Sequence, residues 1–327
     1  MRVSPNELSF SGASAIKEIY GHRSSGLPPL LKDPNFYMQP GEDVRHVANA
    51  AGTVHQRQRR IFANAFSDKA LKLQESMFLE HCDKLVHTLR TALGTSSSHI
   101  CDLVQLYNFT TFDIMGDLTF GESLGMLDRN SYHPWVSAIF AGFHFGTYLH
   151  AIRRFPLAEN ILLRLIPQSI KDKQRLHQEF STQRVDRRLE TDLERPDIWG
   201  LVLNKTGNNG LTKQEMYANA NMFMIGGTET TATLLSGLTF HLLANKRTME
   251  RLKSEIRTTF ALNEDITMER LAKLPYLHAC IEEGLRMYPP ISNGLPRIVP
   301  PGGVTVQGWE VPANVNGRLF LIPQVPS

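Results

Sequence analysis

The stretch from Leu211 to Asn245 constrains the fold more than any other. It contains no proline and stays mostly apolar as far as Leu243. It opens with Thr212 and Glu215, the spacing at which each side chain satisfies the other's backbone N–H at a helix start. A helix of this length, at about 1.5 Å per residue, crosses the whole diameter of a domain. Its centre nevertheless holds Gly226 and Gly227 side by side, and each glycine in a helix interior is about 1 kcal/mol less favourable than alanine. Glu229, Thr230 and Thr231 follow at once, placing a carboxylate and hydroxyls beside the thinned turn. Glycine pairs and hydroxyls bonded back to the helix also produce kinks. Two readings stand: a core helix with a tolerated kink and a solvated glutamate, or a helix groove that receives a flat cofactor and a small polar substrate.

The remaining sequence narrows the class. With 327 residues, 42% of them hydrophobic and 20% charged, the chain can bury a large core. A net charge of +3 and the lack of a long basic tract exclude nothing but a demand for nucleic acid, so no nucleic-acid partner is expected. Cys82, Cys101 and Cys280 are widely separated and odd in number, which argues against a disulfide framework or a zinc site. The N-terminus has no apolar run of signal-peptide length. Tyr132 to Ile152 lacks Asp, Glu, Lys and Arg, yet its histidines, Pro134 and small residues suit a buried or membrane-grazing helix pair better than a span.

In chain order, Arg2–Ser4 and Leu8–Phe10 read as short strands and Ala13–Tyr20 as a helix. Residues 22–52 read as loop with short helical pieces. In the run His55-Gln56-Arg57-Gln58-Arg59-Arg60, His55 and Arg59 share a helix face, either as a solvated basic helix or as an anion clamp. Helices follow over 67–93 and 101–121, two helical pieces over 153–183, and a densely charged, solvated helix end over 184–194. After the long helix come helices at 246–261, 267–273 and 278–287, the last carrying Glu283 and Arg286 on one face. Residues 292–297 read as extended chain and 304–312 as a hairpin turning at Gly308. The fold class is mainly α with a small β portion.

His55–Arg60, the Gly226–Thr231 segment inside a long helix, Glu283-Gly284-Leu285-Arg286 followed by Tyr288-Pro289-Pro290, and then Gly294-Leu295-Pro296-Arg297 occur in a fixed order. As an ordered set they resemble the haem-thiolate monooxygenases, the cytochromes P450. The wording of residues 2–10 and 107–122 is similar to the fungal microsomal branch that serves secondary metabolism. The resemblance implies haem b as cofactor, a hydrophobic small-molecule substrate and NADPH-cytochrome P450 reductase as electron donor. It implies that His55, Arg59 and Arg297 hold haem propionates and that Gly226 and Gly227 lie where the long helix passes the haem. It further implies that Glu229 and Thr230 are the acid and alcohol that relay protons, and that Glu283 and Arg286 form a structural ion pair. Met222, Phe223, Asn293, Gly294 and Leu295 would line the substrate pocket.

The same resemblance sets out what departs from it. The family's cysteine loop supplies the thiolate that ligates the iron. None of Cys82, Cys101 and Cys280 stands in such a loop, so no metal ligand is assigned and the chain by itself is expected to show no turnover. The family's full-length members sit at the endoplasmic reticulum membrane; without an anchor this chain is expected to be cytoplasmic. Residues 1–313 are expected to form one incomplete cytochrome P450 domain, and 314–327 an aberrant tail.

Overall fold

In a computed structural model, residues 1–21, 23, 28–37, 44–95, 100–153, 155, 157, 161, 164, 166–191, 195–206, 210–292 and 294–319 are described. The central helix, α10, spans Lys213–Ala244. Both halves of its expected capping box form: Glu215 N donates to the Thr212 hydroxyl at 3.2 Å, and Thr212 N to the Glu215 carboxylate at 2.9 Å. α10 remains helical through the glycine pair. Its main companion is α5 (Leu103–Phe120), whose Phe109 and Phe112 are fully buried. Around this pair stand α3 (Gly52–Phe62), α4 (Asp68–Thr95), α6 (Met126–Arg129), α7 (Pro134–Ile152), α8 (Gln168–Glu190) and α9 (Ile198–Thr206). Phe62, Trp135, Trp199 and Met224 join Phe109 and Phe112 in one large core. Beyond α10 lie α11 (Lys246–Thr259), α12 (Met268–Leu271) and α13 (Pro275–Met287).

A five-stranded sheet stands apart, in the order β1 (Arg2–Ser4), β2 (Glu7–Phe10), β7 (Asn316–Leu319), β4 (Arg297–Ile298) and β3 (Leu31–Lys32). β2 and β7 run parallel and the other neighbours antiparallel. The expected hairpin forms as β5 (Val304–Val306) and β6 (Trp309–Val311), turning through Gln307 and Gly308 at φ +50° and +78°. Phe10, Ala15, Ile19, Val299, Val304 and Val306 make a second, smaller core that joins the strands to α1 (Ala13–Tyr20). α2 (Pro34–Tyr37) supplies the expected short helical piece.

Several expectations change. Within the 132–152 stretch, Pro134–Ile152 forms one helix, not a pair. Residues 184–190 are not a solvated helix end, because Arg188 is buried and its guanidinium grips the fully buried Asp197. α9 was not foreseen. Residues 316–319, expected to lie in an aberrant tail, form β7 between β2 and β4. Asn293, residues 96–99 and 207–209, and residues from 320 on lie outside the described residues. No described helix is long and apolar enough to cross a membrane.

Candidate functional site

The two glycines of α10 face different neighbours. A Cβ on Gly227 would stand 2.5 Å from Met115 Sδ and 2.9 Å from Met115 Cγ, so this glycine lets α5 approach. A Cβ on Gly226 would meet only the Met222 methyl, at 3.0 Å. Gly226 therefore thins an open side of the helix, and Gly227 lets α5 and α10 cross closely. One turn on, the Thr230 hydroxyl donates to Gly226 O at 2.7 Å, closing over that thinned turn. Glu229 is half-buried, its Oε2 is buried without a partner, and burial pushes its pKa up. Met222 leans over Gly226, whereas the Phe223 ring packs edge-on against Phe62 and Phe66 at 4.9 and 5.5 Å. Phe223 is thereby tied into the core on the α3 side.

The basic run on α3 divides its work. Arg57 pairs with the Glu215 carboxylate, and the fully buried Gln58 donates to the same oxygen at 3.1 Å and to Arg45 O at 2.8 Å. These two residues fasten α3 to the start of α10. His55 feels the charges of Lys32 on β3, Arg297 on β4 and the exposed Arg59 one turn on. Lys32 and Arg297 are paired in the strand register. Burial first, then Lys32, Arg59 and Arg297 in that order, hold the His55 pKa down. Burial and Arg297 lower Lys32 from 10.5 to about 8. Among the described residues none of these four cations is ion-paired, and the Arg297 Nε is buried with no acceptor. Tyr20 orders this corner: its hydroxyl donates to Leu295 O at 2.8 Å, and the Arg297 guanidinium lies 5.5 Å from its ring centroid. Gly294 and Leu295 are half-buried just ahead of β4.

Glu283 and Arg286 form the expected pair through two bonds, at 2.6 and 2.7 Å, on an exposed face of α13. The sequence reading missed Lys32, Tyr20 and the second task of Glu215. Lys32 and Tyr20 belong to no periodic pattern, and only their distant partners reveal them.

The site thus combines a cationic shelf, a long helix thinned at Gly226 and a buried Glu229 oxygen without a partner, in a mainly helical protein. Comparison with known proteins specifies the group. Residues 7–320 match the family model described as cytochrome P450. The chain is 47% identical over 318 residues to the cytochrome P450 monooxygenase efuB of Hormonema carpetanum, covering 96% of this chain and 63% of that protein. It is 42% identical to the cytochrome P450 monooxygenase FUM2 of Gibberella moniliformis, covering 99% of this chain and 68% of the relative. The crystal structure of the cytochrome P450DA haem domain superposes with a TM-score of 0.71 at 18% identity, covering 89% of this chain and 60% of that one. The chain belongs to the cytochrome P450 family. The family match runs past residue 313, where the sequence reading had ended the resemblance.

The residues on the cationic shelf fit the carboxylates of a haem. A buried guanidinium nitrogen without an acceptor, beside a histidine and a lysine whose pKa values are lowered first by burial and then by their cationic neighbours, is a place where an anion relieves repulsion.

Proposed function

We propose that the chain forms the propionate-holding and proton-delivering parts of a haem-dependent monooxygenase that inserts one oxygen atom of O2 into a hydrophobic small molecule in fungal secondary metabolism. NADPH-cytochrome P450 reductase is the electron donor in this reading, at the endoplasmic reticulum membrane. The observation that carries it is the unneutralised set of Lys32, His55, Arg59 and Arg297, with Arg297 Nε buried and unsatisfied. Bound haem supplies the centre at which dioxygen is activated. Arg297, His55 and Arg59 hold its carboxylates, with arginine giving the two-pronged fork that suits a carboxylate. Glu229 retains its proton to higher pH than a solvated glutamate because burial disfavours its charge. It is thus an acid able to reprotonate the Thr230 hydroxyl, once that hydroxyl leaves Gly226 O and gives its proton toward the groove. Met222, Gly294 and Leu295 line the substrate side.

The chain's own cysteines do not supply an axial thiolate in this reading. Cys82 is exposed on α4, Cys101 precedes α5 and Cys280 is buried inside α13. The 327 residues alone therefore bind haem without turning over. Haemin titrated into the purified chain should bind, and the reduced carbon monoxide complex should lack the red-shifted thiolate band. Failure to take up haemin would overturn the clamp, and a thiolate-type band would overturn the predicted inactivity.

A further inference from the structure

The turn that launches α3 is held by groups from three directions. Lys32 Nζ, from β3, donates to Ala48 O at 2.7 Å, Ala50 O at 2.9 Å and Val47 O at 3.3 Å. Asn219, fully buried on α10, accepts from Val47 N at 2.9 Å. Gln58, reaching back from α3, donates to Arg45 O at 2.8 Å. Within the turn, His46 N donates to the Asn49 side chain at 2.8 Å. α3 itself starts poorly, since Ala51 at its N-cap offers no side-chain acceptor to the first turn. The direction in which α3 leaves, and so where His55 and Arg59 stand, is set by the turn rather than by a cap.

Lys32 differs from the other cations of the shelf. An ammonium has three donors, and all three are spent on carbonyls of this turn. It has none left for a carboxylate. At the same time it sits opposite Arg297 in the β3–β4 register, so one side chain joins the strand that presents Arg297 to the turn that presents His55 and Arg59. We propose that Lys32 is the positioning residue of the carboxylate clamp: it fixes the separation between Arg297 and the α3 cations without touching the ligand. The inference rests on the clamp proposed above. Its lowered pKa, about 8, fits a cation held among cations because three converging carbonyls need it there. A bound dicarboxylate would neutralise the same cluster, so occupancy of the clamp and order in the 46–51 turn reinforce one another.

The test uses the 327-residue chain with protoporphyrin IX, which carries two propionates and no iron, and with its dimethyl ester, in which both are masked. Binding is read by tryptophan quenching, and order in the turn by amide hydrogen exchange at 46–52. The wild-type chain should prefer the diacid. Lys32→Met should lower diacid affinity about tenfold, equivalent to about 1.4 kcal/mol, leave ester affinity unchanged, and accelerate exchange at 46–52 in the ligand-free chain. Arg297→Ala should lower diacid affinity without changing that exchange, which separates contact from positioning. Lys32→Arg keeps the charge but not the three-carbonyl grip, and should still show accelerated exchange and weakened diacid binding. Unchanged exchange in Lys32→Met, or full affinity in Lys32→Arg, would overturn the positioning role. Equal binding of diacid and ester by the wild type would instead overturn the clamp, while the exchange comparison still reports on the tether.

Discussion

Two basic clusters in this molecule have opposite electrostatic character. At the far ends of α5 and α8, Arg188 binds Asp197 through Nε at 2.6 Å and Nη2 at 3.2 Å, and Arg195 binds Asp117, which also takes His81 at 2.6 Å. Gly121, at φ +72°, ends α5 in a left-handed turn, and a Cβ there would come within 2.8 Å of Arg188 Cδ. Among the described residues, both arginines of that corner meet a carboxylate. On the shelf formed by Lys32, His55, Arg59 and Arg297, none does among the described residues. The first corner compensates its arginines within the fold, whereas the shelf keeps its positive charge uncompensated. The distinction is invisible in composition, since both clusters are made of basic residues.

The sharpest way to break the comparison is to remove the counter-charge from the first cluster. Asp197→Asn leaves the Arg188 guanidinium buried with its main partner neutralised. Breaking a buried pair in this way destabilises by about 3–5 kcal/mol, and urea unfolding of the variant should show a loss of that order with porphyrin binding intact in the folded fraction. In the second cluster the same operation should have the opposite profile. Arg297→Ala should leave the urea midpoint nearly unchanged and weaken protoporphyrin binding by about tenfold to a hundredfold, the share of a charge-assisted hydrogen bond worth about 1.5–3 kcal/mol. An Arg297→Ala variant that unfolds like Asp197→Asn would make the shelf structural and remove the contrast.

The glycine pair gives a smaller test of the same kind, one position packed against α5 and one on an open side of the helix. Gly227→Ala drives a Cβ into Met115, 2.5 Å from its sulfur. Overpacking of about 1–3 kcal/mol, set against the roughly 1 kcal/mol that alanine gains in helix propensity, should leave it destabilised by about 1 kcal/mol in thermal unfolding. Gly226→Ala displaces only the flexible Met222 methyl and should raise the ligand-free melting temperature slightly, while lowering porphyrin affinity.

How much of this was legible in the sequence follows from where each partner lies. The long helix, its Thr212/Glu215 box and the Glu283/Arg286 pair were readable because their partners are one turn away. The glycine pair was readable as an oddity, but which neighbour each glycine faces depends on α5, supplied by a segment about a hundred residues earlier. His55 and Arg59 could be placed on one face, yet what His55 meets depended on Lys32 and on Arg297 arriving from the other end of the chain. Arg188 was misread because a dense run of charges looks solvated until Asp197 folds back on it. Lys32 left no trace, since its acceptors are backbone carbonyls and carry no residue signature. Residues 316–319, which carry no clear pattern in the sequence, are placed by backbone pairing with β2 and β4, which leaves no residue signature.

The smallest effect is the one most specific to the shelf. In the folded, ligand-free chain Lys32 has a pKa of about 8 instead of 10.5, from burial and Arg297. Its folded value lies below its unfolded value, so between about 8 and 10.5 the unfolded chain holds more protons at this group than the folded one. Stability contributed by Lys32 therefore rises as pH climbs through that window, and below it the charged form carries a constant penalty. The buried carboxylate of Glu215 works in the opposite range. Burial pushes its pKa up, but hydrogen bonds from Arg57, Thr212 N and Gln58 outweigh that and hold it below the ordinary value, so its contribution is present above the unfolded pKa and lost as pH falls through the folded one. Thermal unfolding of wild type and Lys32→Met from pH 7 to 10 should converge on a smaller difference at low pH and diverge in favour of the wild type as pH rises. Adding protoporphyrin IX should flatten that divergence, because its carboxylates remove the repulsion that lowers the lysine. A divergence untouched by the dicarboxylate would mean that the Lys32 proton answers to the turn alone, and that the shelf does not sense its ligand.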